Sequence, residues 1–136
     1  MTQEEKQLLL KDLCARFIYG VIVRVYDIEH GDFDSYVDNI SNTCIETRPV
    51  EELTIDFNPY VFYKLQEIKP YLRPMSSMTE EEIKEYEHLI AFSGSSYGAA
   101  NLVDWLNKKM FAYRNIDGKN MFELGLALKA PKGMYK

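Results

Sequence analysis

The hydrophobic period changes at Gly20, and that change restricts the chain to folds in which a helix precedes a sheet. Before it, Leu9, Leu10, Leu13, Cys14 and Phe17 recur at spacings of one, three and four. This is the stripe of an amphipathic helix of about four turns. Thr2 and Glu5 stand three apart at its start, where a hydroxyl and a carboxylate satisfy the first free N–H groups as a capping box. Gly20 is suited to stop the helix. After it, Val21, Val23 and Val25 alternate with Ile22, Arg24 and Tyr26, a β-branched run that predicts a strand.

The period of two persists. A turn is expected at Gly31-Asp32, with short strands at Tyr36-Val37 and Thr43-Cys44-Ile45. Leu53, Ile55 and Phe57 alternate with polar residues up to the Asn58-Pro59 breaker. Tyr60 to Ile68 is a fifth candidate, although residues 64–67 also suit a helical turn. Four or five strands in about fifty residues predict a small bent antiparallel sheet or SH3-like half-barrel, with the leading helix over one open side.

The sheet should fade at Pro70 and Pro74, which cannot donate to a ladder. Thr79 and Glu82 then form a second capping box, with Met78 and Ile83 as a hydrophobic staple. Glu80, Glu81 and Glu82 sit where a helix dipole favours negative charge. The second helix is expected to reach Phe92 with Ile83, Tyr86 and Ile90 on one face. A third follows the Ser93–Ser96 loop, with Ala99, Leu102, Val103, Leu106 and Met110 inward and Lys108-Lys109 outward. Asp117-Gly118 predicts a turn, and Met121–Leu128 a short helical segment. The expected architecture is a single α+β domain over residues 1–136: helix 1–19, sheet 20–72 and helical part 79–136.

The charge is −5 over 136 residues, which gives no bulk attraction to nucleic acid. It is unevenly placed: residues 1–60 carry twelve acids and five bases, residues 101–136 three acids and seven bases. Cys14 and Cys44 show no metal or redox spacing, and both are expected as small core residues. No secretory pattern or membrane span is visible, so a reducing cytoplasm is the expected setting.

The stretch KPYLRPMSSMTEEE (residues 69–82), an upstream LCARxxYGV (residues 13–21), a WLN at Trp105–Asn107 and a tail GLALKAP with GMY (residues 125–135) run through nearly the whole chain. In these motifs the sequence resembles a family of small proteins of gut bacteria and their prophages and mobile elements. That resemblance implies no particular activity.

Catalytic signatures are missing. The acidic turn Asp27, Glu29, His30, Asp32 and Asp34 lacks calcium-loop spacing, the sequence does not mark His30 as a general base, His88 is expected as a surface histidine, and no P-loop, H-E-x-x-H or nucleophile elbow occurs. No cofactor or metal is therefore expected. Ten tyrosines and seven phenylalanines are many for this length, and such side chains are enriched at interfaces. Tyr60, Phe62, Tyr63, Tyr71 and Arg73 are the candidate partner contacts; the competing expectation for Tyr71–Arg73 is a plain crossover, with Tyr71 or Leu72 plugging the barrel end and Arg73 bonding a carboxylate. Lys108, Lys109 and Arg114 form a candidate basic contact. The leading expectation is a non-enzymatic accessory protein of phage or mobile-element type that binds protein, as an adaptor or as an inhibitor of a host factor. A small nucleic-acid-binding module and an enzyme of unidentified chemistry are the alternatives.

Overall fold

The computed structural model describes residues 1–41, 44–51 and 61–135. In chain order they form α1 (Gln3–Arg16), β1 (Ile22–Asp27), β2 (Gly31–Ile40), β3 (Ile45–Pro49), β4 (Val61–Tyr63), β5 (Ile68–Leu72), α2 (Glu80–Ala91), α3 (Ser96–Lys108), β6 (Asn115–Ile116), β7 (Lys119–Asn120) and β8 (Leu128–Lys129). Six strands make one curled half-barrel sheet in the order β4-β3-β2-β1-β5-β8, and β6 and β7 form a separate hairpin. The α+β class and the helix-then-sheet order are as expected.

Local signals landed where they were read. Thr2 and Glu5 exchange capping bonds of 3.1 and 2.8 Å. Gly20 closes a 3₁₀ turn after α1 at φ +79°, a left-handed conformation that suits glycine. Asp117 and Gly118 both have positive φ, joining β6 to β7 in two residues.

The differences have non-local causes. The sheet has six strands because the tail returns to it: β8 pairs in parallel with β5, Leu128 beside Tyr71. Only turns lie between Met121 and Gly125, so the expected C-terminal helical segment is mostly a lead-in to a strand. In the fifth candidate the helical turn suggested at residues 64–67 is present: a 3₁₀ turn at Leu65–Glu67 divides β4 from β5. Tyr36-Val37 belongs to a ten-residue strand with an irregularity between Val37 and Asn39. Pro70 does not end the sheet but lies inside β5, opposite Val23. Its missing N–H is tolerated because β8 reaches only Tyr71 and Leu72, leaving Pro70 with a neighbour on one side. The expected Leu53–Phe57 strand, Thr43 and Tyr60 lie outside the described residues.

The largest departure concerns α1. Its buried residues are Leu9, Asp12, Leu13 and Arg16, a proper helical stripe, but one turned away from Cys14, which is exposed. Leu9 and Leu13 join the core of Val23, Val25, Ile45, Ile68 and Leu72. The charged pair turns inward because distant groups receive it. Arg16 Nε donates to Asp12 Oδ2 at 3.0 Å, and its Nη2 donates to the Phe111 carbonyl at 2.6 Å. Arg114 Nη1 donates to the other oxygen of Asp12 at 2.6 Å. Asp12 and Arg16 are fully buried. One carboxylate therefore neutralises two guanidiniums, and Arg16 Nη1 has no hydrogen-bond partner among the described residues.

This arrangement predicts an unequal response to substitution. Asp12→Ala leaves two guanidiniums facing each other out of water and is expected to cost about 3–5 kcal/mol. Arg16→Met keeps the Asp12–Arg114 pair and fills the space with an apolar chain, so it should cost less. Urea denaturation of the two variants checks the order.

Candidate functional site

The segment from Lys69 to Glu82 is a structural knot. Leu72 is fully buried. The Tyr71 hydroxyl donates to Asp34 at 2.8 Å, on the oxygen that also takes Arg24 at 3.1 Å. Burial first, and then this bond, raise the Tyr71 phenol above its ordinary range. The Tyr135 hydroxyl accepts from the Ile22 amide and donates to the Tyr71 carbonyl, both at 2.9 Å, pinning the tail to β1 and β5. Arg73 bridges to the residues after α3 through Arg73 N to Met110 O at 2.7 Å and Ala112 N to Arg73 O at 2.9 Å. Its guanidinium lies 4.2 Å from the Phe111 ring centre and donates twice to Glu82, at 2.7 and 2.8 Å. Glu82 also closes the Thr79 capping box, accepting from the Thr79 amide at 3.0 Å. Tyr71 and Arg73 are thus occupied inside the fold, as the crossover expectation has it.

The other expected contact residues separate. Phe62 stands on β4, the outermost strand on its side among the described residues, and is 60% exposed. Tyr63 is in the core, its hydroxyl donating to Asp27 at 2.5 Å. Arg114 turns inward to Asp12 and Asn107, so it does not extend a basic surface with Lys108 and Lys109. The acidic turn disperses. Burial pushes the Asp27 carboxyl up, but the Tyr63 hydroxyl, the His30 amide and ring and the Glu29 amide outweigh it and hold the group at about 2. Asp34 serves Arg24 and Tyr71. Among the described residues no group of three or more His, Cys, Asp or Glu is placed to hold a metal ion.

Two surfaces gain definition. The first is a groove of about 780 Å³ between the first turns of α2, the end of α3 and the tail after β8, where Lys108 and Lys109 meet Lys129 and Lys132 with Glu81 and Glu85 also in the wall. The second is the α2–α3 hairpin. Its helices pack chiefly on each other, through Tyr86 stacked at 6.1 Å on Trp105, whose Nε1 donates to Glu85 at 2.9 Å. Ile83 and Ile90, expected on one face with Tyr86, are 43% and 44% exposed, and Val103, expected inward, is exposed too. At the hairpin tip, Phe92 (63% exposed) and Tyr97 (79%) line a cleft of about 370 Å³ with Leu89 and His88. The His88 and Phe92 rings are 4.9 Å apart. Gly98 shapes this tip: a Cβ there would meet the Phe92 carbonyl oxygen at 1.7 Å. Phe92 and Tyr97 flank the Ser93-Gly94-Ser95-Ser96 loop in sequence, a placement that helix periodicity alone does not mark as exposed.

The Arg73–Glu82 pair makes a pH prediction. Hydrogen bonding from Arg73 holds the Glu82 carboxyl at about 2, below its usual 4.5, against the upward push of burial. Its contribution is therefore fully present above pH 4.5 and lost as pH falls toward 2. Glu82→Gln should cost about 2 kcal/mol at neutral pH and flatten the acid side of the stability curve in that window, as measured by denaturant melts at stepped pH. A separate substitution, Gly98→Ala, should lower the thermal midpoint by displacing the Phe92 carbonyl.

Among the described residues no helix is long and apolar enough to cross a membrane. In comparison with protein-family models, with curated proteins and with solved structures, the chain finds no match.

Proposed function

We propose that this protein is a non-enzymatic accessory protein of phage or mobile-element type, working in the cytoplasm by binding another protein as an adaptor or an inhibitor of a host factor. The observation that carries the proposal is the tip of the α2–α3 hairpin. Two large aromatic side chains, Phe92 and Tyr97, stand more than half exposed around one cleft, on helices whose other contacts are mostly with each other. An apolar cleft with a polar rim is what a partner's anchor side chain fills, and aromatic residues carry a disproportionate share of interface energy. Ile83 and Ile90, seven residues apart on α2, continue the apolar character along the helix. In this reading the contact surface lies mainly on the hairpin; of the described sheet candidates, Phe62 on β4 is also exposed.

The test is a tagged pull-down from bacterial lysate, with and without nuclease, comparing the native chain with the Phe92→Ser/Tyr97→Ser double variant. One stoichiometric protein that survives nuclease and falls about tenfold or more in the variant is the expected result. Retention unchanged by the double variant would remove the hairpin tip from the proposal. Partners that vanish with nuclease would put nucleic-acid binding in its place.

A further inference from the structure

Arginine and lysine are used differently in this chain. All five arginines, Arg16, Arg24, Arg48, Arg73 and Arg114, are ion-paired to carboxylates. Among the described residues no lysine lies within 4.0 Å of a carboxylate. Four of these lysines nevertheless line one groove: Lys108 and Lys109 from the end of α3, Lys129 and Lys132 from the tail. The protein as a whole carries −5. Lysines at a helix C-terminus interact favourably with its dipole, which accounts for Lys108 and Lys109. It does not account for Lys129 and Lys132, which reach the same groove from β8 and the turn after it. With Glu82 paired to Arg73, the four lysines face only Glu81 and Glu85 in the lining, which leaves the groove an excess of positive charge.

We infer that this groove binds a small polyphosphate-bearing ligand, with the four lysines neutralising its phosphates. Phosphate oxygens match the rotatable donors of lysine, which bind as point charges. The volume of about 780 Å³ is that of a small-molecule site. Pro74 and Pro131 in the lining supply apolar wall for an uncharged part of the ligand. Two observations favour a compact anion over a nucleic-acid strand. Glu81 and Glu85 on the α2 wall confine favourable contact to the lysine side of the groove, which suits a short anion and not a continuous phosphate backbone running through it. The net negative charge also works against the long-range attraction on which nucleic-acid binding depends. The inference is independent of the hairpin tip, which does not share these residues.

Isothermal titration at low salt with tripolyphosphate and with ATP tests it, on the full chain and three double variants: Lys108→Ala/Lys109→Ala, Lys129→Ala/Lys132→Ala, and Lys6→Ala/Lys11→Ala as a control on α1. Thermal melts establish that each variant is folded. Saturable binding is expected, weakened about tenfold or more by either groove variant and unchanged by the control. Equal affinity for the two probes identifies polyphosphate itself as what is held; tighter ATP binding shows that a nucleoside is also contacted. The inference is overturned by no saturable binding of either probe at millimolar concentration. Binding that both groove variants leave intact overturns it too. So does a single-stranded oligonucleotide that binds tighter than ATP with a steep salt dependence, which would make the lysines a nucleic-acid surface.

Discussion

Asp12 is the residue on which the two ends of the chain depend. Its two oxygens hold Arg16 from its own helix and Arg114 from beyond α3, and Arg16 passes the connection on to the Phe111 carbonyl. A buried pair of this kind contributes little net energy against an apolar replacement, but it tolerates no loss of one partner. What it supplies is position. It sets the rotation of α1, so that Leu9 and Leu13 enter the core, and it fixes the segment from Phe111 to Arg114 against the helix. Arg73 then grips the same segment from the other side, with its backbone on Met110 and Ala112 and its guanidinium over the Phe111 ring.

The features legible in sequence are those whose cause is nearby. Both capping boxes need residues three apart, and Gly20 and Asp117-Gly118 need only a backbone conformation. The rotation of α1 was not legible, because Leu10 and Cys14 look as suitable for the core as Leu9 and Leu13 until the partners of Asp12 and Arg16 are known, about a hundred residues away. β8 was hidden for a similar reason: two residues with no strand signature become a strand because β5 offers them a free edge. Pro70 misled because the rule against proline in a sheet concerns strands paired on both sides. Of the candidate site, Lys108-Lys109 was readable as the outward side of a helix, whereas Phe62 stood in a run too apolar to mark as an exposed strand. The hairpin tip was not, since helix periodicity places Ile83, Tyr86 and Ile90 on one face without saying what covers it.

The two surfaces follow from this division between tied and untied side chains. Tyr63, Tyr71, Arg73 and Arg114 have the chemistry of contact residues, yet each is bound within the fold. The groove lysines and the tip aromatics are what remains after the fold has taken its share. Planar, bidentate arginine suits fixed internal pairing, whereas lysine keeps its hydration and mobility until something arrives. The knot at Lys69–Glu82 serves both surfaces: it anchors α2, one wall of the groove, and it carries the hairpin away from the sheet.

The partners of the first helix lie near the end of the chain, which bears on how the protein is made. A ribosome releases Asp12 and Arg16 long before Phe111 and Arg114, and β8 emerges later still, so the charged stripe of α1 and the sheet stay incomplete until those later segments have emerged. Contacts this distant in sequence slow folding. During that interval Leu9 and Leu13 lack the core that covers them, and the open edge of β5 is available to other strands. The acidic excess of residues 1–60 emerges first and supplies like-charge repulsion between nascent copies over that same interval.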